Sequence, residues 1–110
     1  MNAAQLQLGD VHPGGPLSVP PGDFARPGLV DQGLVDRSVA AMREQPDAED
    51  QLRRGMAQRL ESLDSIYRGY PDELNEWAIA TRDRLWMEYF TADAIFRRLT
   101  GQPVLGRTEP

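Results

Sequence analysis

A chain of 110 residues with net charge −5, from 12 basic and 17 acidic side chains, is one small domain at most. An acidic chain without a basic patch argues against nucleic acid as a direct partner, since affinity there comes mostly from neutralising phosphates. The absence of cysteine rules out a disulfide framework, a thiolate nucleophile and a zinc–thiolate site, and it fits a cytoplasmic origin.

The first thirty residues are dense in proline and glycine, including Pro20-Pro21-Gly22, and neither a helical nor an alternating period survives them. They lack the charged start and the apolar run of a cleaved signal, so export of this chain would need another route. Nothing in the sequence approaches the length of a membrane span. Two readings of residues 1–30 stand side by side. One is a flexible tail. The other is a strand-like arm that docks on a partner through spaced apolar anchors, chief among them Leu17, Val19 and Phe24.

Three helices are expected beyond the arm, so the fold class is all-α, with a helical domain over 31–102 and a polar tail over 103–110. Asp31 suits the N-cap of a first helix over 32–45, with Val30 and Val35 as a hydrophobic staple and Val35, Val39 and Met42 as its apolar face. Pro46 ends it. Asp47 then caps a second helix over 47–68, with Asp50 at the third position. Its residues Ala48, Leu52, Met56, Leu60, Leu63, Ile66 and Tyr67 fall within about 120° on a helical wheel. Gly55 lies at the edge of that face, where it permits a close helix crossing or reflects neutral drift.

The third helix, expected over 71–100, carries both tryptophans. Pro71, Asp72 and Glu73 suit its start, Arg97 and Arg98 its end, and Gly101 followed by Pro103 stops it. About 29 residues make a rod of roughly 44 Å against roughly 32 Å for the second helix, which leaves about eight residues overhanging for the first helix to cover. The short connection through Gly69 and Tyr70 folds the second and third helices into an antiparallel hairpin. One stripe of the third helix, formed by Leu74, Trp77, Ala78, Leu85, Tyr89, Ala92, Ile95, Phe96 and Leu99, is expected to hold that hairpin. A second stripe of Ile79, Trp86, Met87, Phe90 and Ala94 lies opposite. A chain this short is expected to cover only one of them, so the second stripe is assigned to partner binding.

Catalytic chemistry finds little footing. The only histidine, His12, sits in the arm, Ser38, Ser62 and Ser65 have no base to activate them, and the cluster Asp72, Glu73 and Glu76 is accounted for by a helix N-terminus. There is neither a Glu-x-x-His pair nor a glycine-rich phosphate loop. Arg84 and Glu88 are spaced for an ion pair on one helix face. No catalytic, cofactor-binding or metal-binding residue is assigned.

Val39-Ala40-Ala41-Met42 is placed like the Phe-x-x-Ala-Met of type III secretion inner-rod proteins, and residues 91–102, TADAIFRRLTGQ, are similar to the Thr-x-x-Gly-Ile-x-x-Leu-Leu-x-x-Gln ending of some members. With residues 60–67, these stretches cover about half the chain, which on this basis resembles the inner-rod and needle subunits of bacterial type III secretion systems. The chain departs from that pattern in continuing past Gln102 with PVLGRTEP and in its two tryptophans. The resemblance implies a helical, non-enzymatic protein that polymerises inside a secretion channel and is exported without a cleaved signal. The residues alone point to a non-catalytic structural or adaptor subunit that buries an apolar helix face in a protein assembly. An accessory subunit of a multi-subunit enzyme and an antitoxin or chaperone that masks a partner remain the alternatives.

Overall fold

The structure, a computed structural model, describes residues 25–70 and 75–105. These residues are all-α: a 3-10 turn at Pro27–Leu29 precedes α1 (Gln32–Met42), α2 (Ala48–Gly69) and α3 (Glu76–Thr100), with no strand among them. Leu17, Val19, Phe24, His12, Leu74 and the 71–73 start expected for the last helix lie outside the described residues.

Local chemistry sets each boundary. The Asp31 carboxylate accepts the Leu34 N–H at 3.1 Å, capping α1 where expected. That helix ends at Met42 rather than near 45. Gln45, which precedes Pro46, is biased away from helical angles, so the last turn relaxes early. Asp47 occupies the N-cap of α2 without a side-chain hydrogen bond to the helix, so the expected capping box with Asp50 does not form, and Glu49 and Asp50 in the first turn face the helix dipole instead.

The start of α3 is the largest difference. Asn75 is extended (φ −77, ψ 106) and its side chain accepts the Ala78 N–H at 3.0 Å, so the helix begins at Glu76 and not at Pro71. At the other end Gly101 is left-handed (φ 77), and the Gln102 N–H reaches back to the Arg97 carbonyl at 2.8 Å, closing the helix as a Schellman-type cap.

The α2–α3 pair is an antiparallel hairpin. Contacts run from Tyr70–Arg82 through Tyr67–Trp86 and Arg59–Glu88 to Arg53–Phe96, one number rising as the other falls. With α3 starting at Glu76, the two helices measure about 33 Å and 38 Å, and the expected eight-residue overhang disappears. α2 buries Ala48, Leu52, Met56, Leu60 and Leu63, five of the seven residues on its expected stripe.

α3 is the centre of the domain. Every extensive packing contact between elements involves it: with α2, with α1 and with the 27–29 turn. Ala25, Val30, Val35 and Val39 join the α2 residues and Leu85, Trp86, Tyr89, Phe90, Ala94, Ile95 and Phe96 in one continuous core. The expectation that the chain could cover only one side of this helix therefore fails. Residues 25–42 supply the apolar surface that the second side needs, and burying a side chain of this size stabilises by about 1.5–3 kcal/mol. At the far end, Asp36 of α1 pairs with Arg98 of α3 at 2.6 Å.

Candidate functional site

The burial of the two tryptophans is the reverse of the expectation. Trp86, assigned to partner binding, is 4% exposed, and its indole N–H donates to the Tyr67 hydroxyl at 2.9 Å. Phe90 stacks on it with ring centroids 5.5 Å apart, and Phe90 and Ala94 are buried as well. These three are core, because α3 is covered on both sides. Trp77, assigned to the hairpin core, is 57% exposed. Its position in the first turn, just after the Asn75 cap, puts it beside the end of α2 rather than along its length.

Trp77 is nevertheless held. Its ring meets the half-exposed Tyr70 edge-on at 5.1 Å, and the Tyr70 carbonyl accepts a hydrogen bond from Arg82 Nη1 at 3.0 Å. Arg82 is itself 8% exposed, with its guanidinium 5.1 Å above the Tyr67 ring. A buried cation thus connects the core pair Tyr67–Trp86 with the surface pair Tyr70–Trp77. Cation–π contact and a carbonyl acceptor offset the cost of burying that charge. Ile79, expected at a partner interface, is 36% exposed, but two residues after Trp77 it stands on a different side of the helix from the Tyr70–Trp77 pair.

A second feature lies farther along. Leu34 of α1, Leu52 of α2 and Met87, Ala92 and Ile95 of α3 supply the apolar lining of an open groove of about 470 Å³. Met87, expected at a partner interface, lines this groove and not the Trp77 surface. Gly55 also lines it. A Cβ there would meet only Arg59 Nη1 at 3.4 Å, so no close helix crossing occurs at that glycine. On the rim, Glu88 accepts from Arg84 at 3.2 Å, as its spacing predicts, and from Arg59 of α2, also at 3.2 Å. Such partly exposed pairs contribute about 0–1 kcal/mol each.

Polar groups also enter the core. Asp93 is buried and accepts from Arg97 Nε at 2.8 Å. The nearby Tyr89 phenol is pushed up to about 12, first by burial and then by the Asp93 carboxylate, with Arg97 opposing. Among the described residues, no group of three or more His, Cys, Asp or Glu is placed to hold a metal, and no helix is long and apolar enough to cross a membrane.

Sequence reasoning missed Tyr70, Trp77 and Leu34 as surface residues. The available signal was Asn75, a strong N-cap residue three positions before Ala78, which shortens the helix and moves Trp77 to its exposed end. No protein-family model, curated protein or solved structure matches the chain.

Proposed function

We propose that this chain is a non-catalytic structural or adaptor subunit that docks on a protein partner through the apolar surface at the tip of its α2–α3 hairpin. One observation carries the reading: Trp77 stands largely in solvent, yet its ring is fixed against Tyr70, whose backbone is fixed by the buried Arg82. A pre-ordered, exposed indole packed against a tyrosine has the composition of an interface anchor, because it loses little side-chain entropy on docking and buries a large area. Self-assembly into a rod-like secretion component is a narrower form of the same reading, supported by the resemblance of residues 91–102.

The test compares the full chain with its Trp77→Ala variant, in solution mass and in the proteins recovered with each from its own cells. Under this reading the variant folds as the parent does and loses the association by about 2 kcal/mol or more, roughly thirtyfold in affinity. A variant that associates as the parent does removes the support for this surface. Growth in mass by the chain alone favours the rod-like form, whereas a fixed one-to-one pairing with a different protein favours an adaptor.

A further inference from the structure

The groove carries opposite chemistries at its two ends. Because α2 and α3 run antiparallel, with Arg59 against Glu88 and Arg53 over Phe96, Leu52 falls at the Ile95 end and Arg59 at the Arg84 end. The Asp36–Arg98 pair holds the first half of α1 against the C-terminal end of α3, which brings Leu34 to the Ile95 end as well. One end is therefore apolar, supplied by three helices. At the other, two guanidiniums, those of Arg59 and Arg84, both reach the single Glu88 carboxylate at 3.2 Å.

That cluster is not saturated. A guanidinium has five N–H donors. Arg59 gives Nε to Glu88 and Nη1 to the Gly55 carbonyl, and Arg84 gives Nη1 to Glu88, so donors remain on both. One carboxylate against two guanidiniums also leaves an excess positive charge at this end, on a chain whose net charge is −5. Between the two ends the lining is small. Gly55 adds no side chain, and a Cβ there would have only Arg59 Nη1 within 4 Å, while Thr91 donates its hydroxyl proton to the Met87 carbonyl at 2.8 Å.

We infer that this groove binds a small amphiphile with one carboxylate and an unbranched apolar chain, the carboxylate on Arg59 and Arg84 and the chain passing over Gly55 toward Leu34, Leu52 and Ile95. Length sets the size of the ligand. The walls run roughly 16 Å along α3, from Arg84 to Ile95, and roughly 10 Å along α2, from Leu52 to Arg59. An extended alkyl chain advances about 1.3 Å per carbon, so about eight to twelve carbons span them. A volume of about 470 Å³ is that of a small-molecule site. A groove three turns long offers far less than the ~800 Å² per partner of a standard protein interface. Charge sets the headgroup, since a carboxylate matches the planar fork of each guanidinium and cancels the excess charge. This site is independent of the Trp77 surface, and either can fail without the other.

The test titrates the full chain with decanoate, kept below its micelle-forming concentration at neutral pH, and with decylammonium as the control of equal length and opposite charge. Decanoate should bind saturably, at least about tenfold more tightly than decylammonium. Gly55→Leu projects a side chain into the groove while meeting only the flexible end of Arg59, and should weaken decanoate at least about tenfold with the helix content unchanged. Glu88→Gln removes the carboxylate that competes for both guanidiniums, and should tighten decanoate by about threefold, a gain that loss of a merely structural ion pair would not produce. Absence of saturable binding, equal affinity for decylammonium, an undiminished affinity in Gly55→Leu, or weaker binding in Glu88→Gln would each overturn the inference. A protein retained by the parent chain and lost with Gly55→Leu, in a chain that ignores decanoate, would assign the groove to protein docking instead.

Discussion

Trp86 of α3 and Tyr67 of α2 are joined by a 2.9 Å hydrogen bond from the indole N–H to the phenol oxygen, inside a core that also packs Tyr89 and Phe90 against the indole. The bond satisfies a donor that burial would otherwise strand, so it fixes how the two helices meet as well as how strongly. Tyr67→Phe leaves that donor unpaired and should cost about 1–3 kcal/mol by denaturant unfolding. Combining it with Trp86→Phe should show a coupling of about 1 kcal/mol, since removing both partners strands neither. Strict additivity of the two changes would mean that the bond contributes nothing.

Arg82 connects this core pair with the surface. Arg82→Met loses the hydrogen bond to the Tyr70 carbonyl and the contact with the Tyr67 ring, at an expected cost of about 1–3 kcal/mol. It should also loosen Tyr70 and, through it, Trp77. In a Trp86→Phe background the fluorescence anisotropy of Trp77 should therefore fall. An unchanged anisotropy would show that the Trp77 ring is held by something other than this chain of contacts.

The Tyr89 phenol gives the fold an alkaline limit. Raised to about 12 from an ordinary 10.0, it holds its proton more tightly in the folded chain than in the unfolded one. Its contribution is complete below pH 10 and is lost between pH 10 and about 12, because the unfolded state ionises first. Denaturant midpoints followed across that window should fall in the parent and fall less in Tyr89→Phe. Equal falls in both would place the alkaline sensitivity elsewhere.

Two glycines should respond oppositely to alanine. Gly101 closes α3 at φ 77, where a Cβ is strained, so Gly101→Ala should cost about 1 kcal/mol although nothing lies within 4 Å of the added atom. Gly69, the last residue of α2, likewise has nothing within 4 Å, and there Gly69→Ala should gain about 0.4–1 kcal/mol by restricting the unfolded chain. Thermal melts of the two variants check both signs.

What could be read from the sequence was what a single helix face specifies. The α2 stripe has one apolar side, so its periodicity names the buried residues Leu52, Met56, Leu60 and Leu63 directly. The Asp31 cap and the Gly101 stop follow from chemistry within one turn. α3 is different because it is apolar on two sides. Periodicity gives the angle of Trp86 and Phe90 on that helix, but it does not say that Val35, Val39 and Ala25 return to complete the core around them. The polar residues Arg82 and Asp93 fall within the arc of large apolar residues on α3, a sign that this arc is enclosed and that they are paired inside it. The Trp77 surface depended on choosing Asn75 over Pro71 as the helix start. Both are good start signals, and the extended backbone at Asn75 decided between them.

The division of labour between the tryptophans is open to one direct measurement: acrylamide quenching of fluorescence in the two single-tryptophan chains, Trp77→Phe and Trp86→Phe. With Trp86 alone, emission should be blue-shifted and weakly quenched, because its indole is enclosed and hydrogen-bonded to Tyr67. With Trp77 alone, emission should be solvent-like and readily quenched, as befits a ring more than half exposed. The reverse pattern, or a Trp86 quenched as easily as Trp77 in a chain that remains helical, would mean that α3 keeps an open second side and would contradict the enclosed core described above.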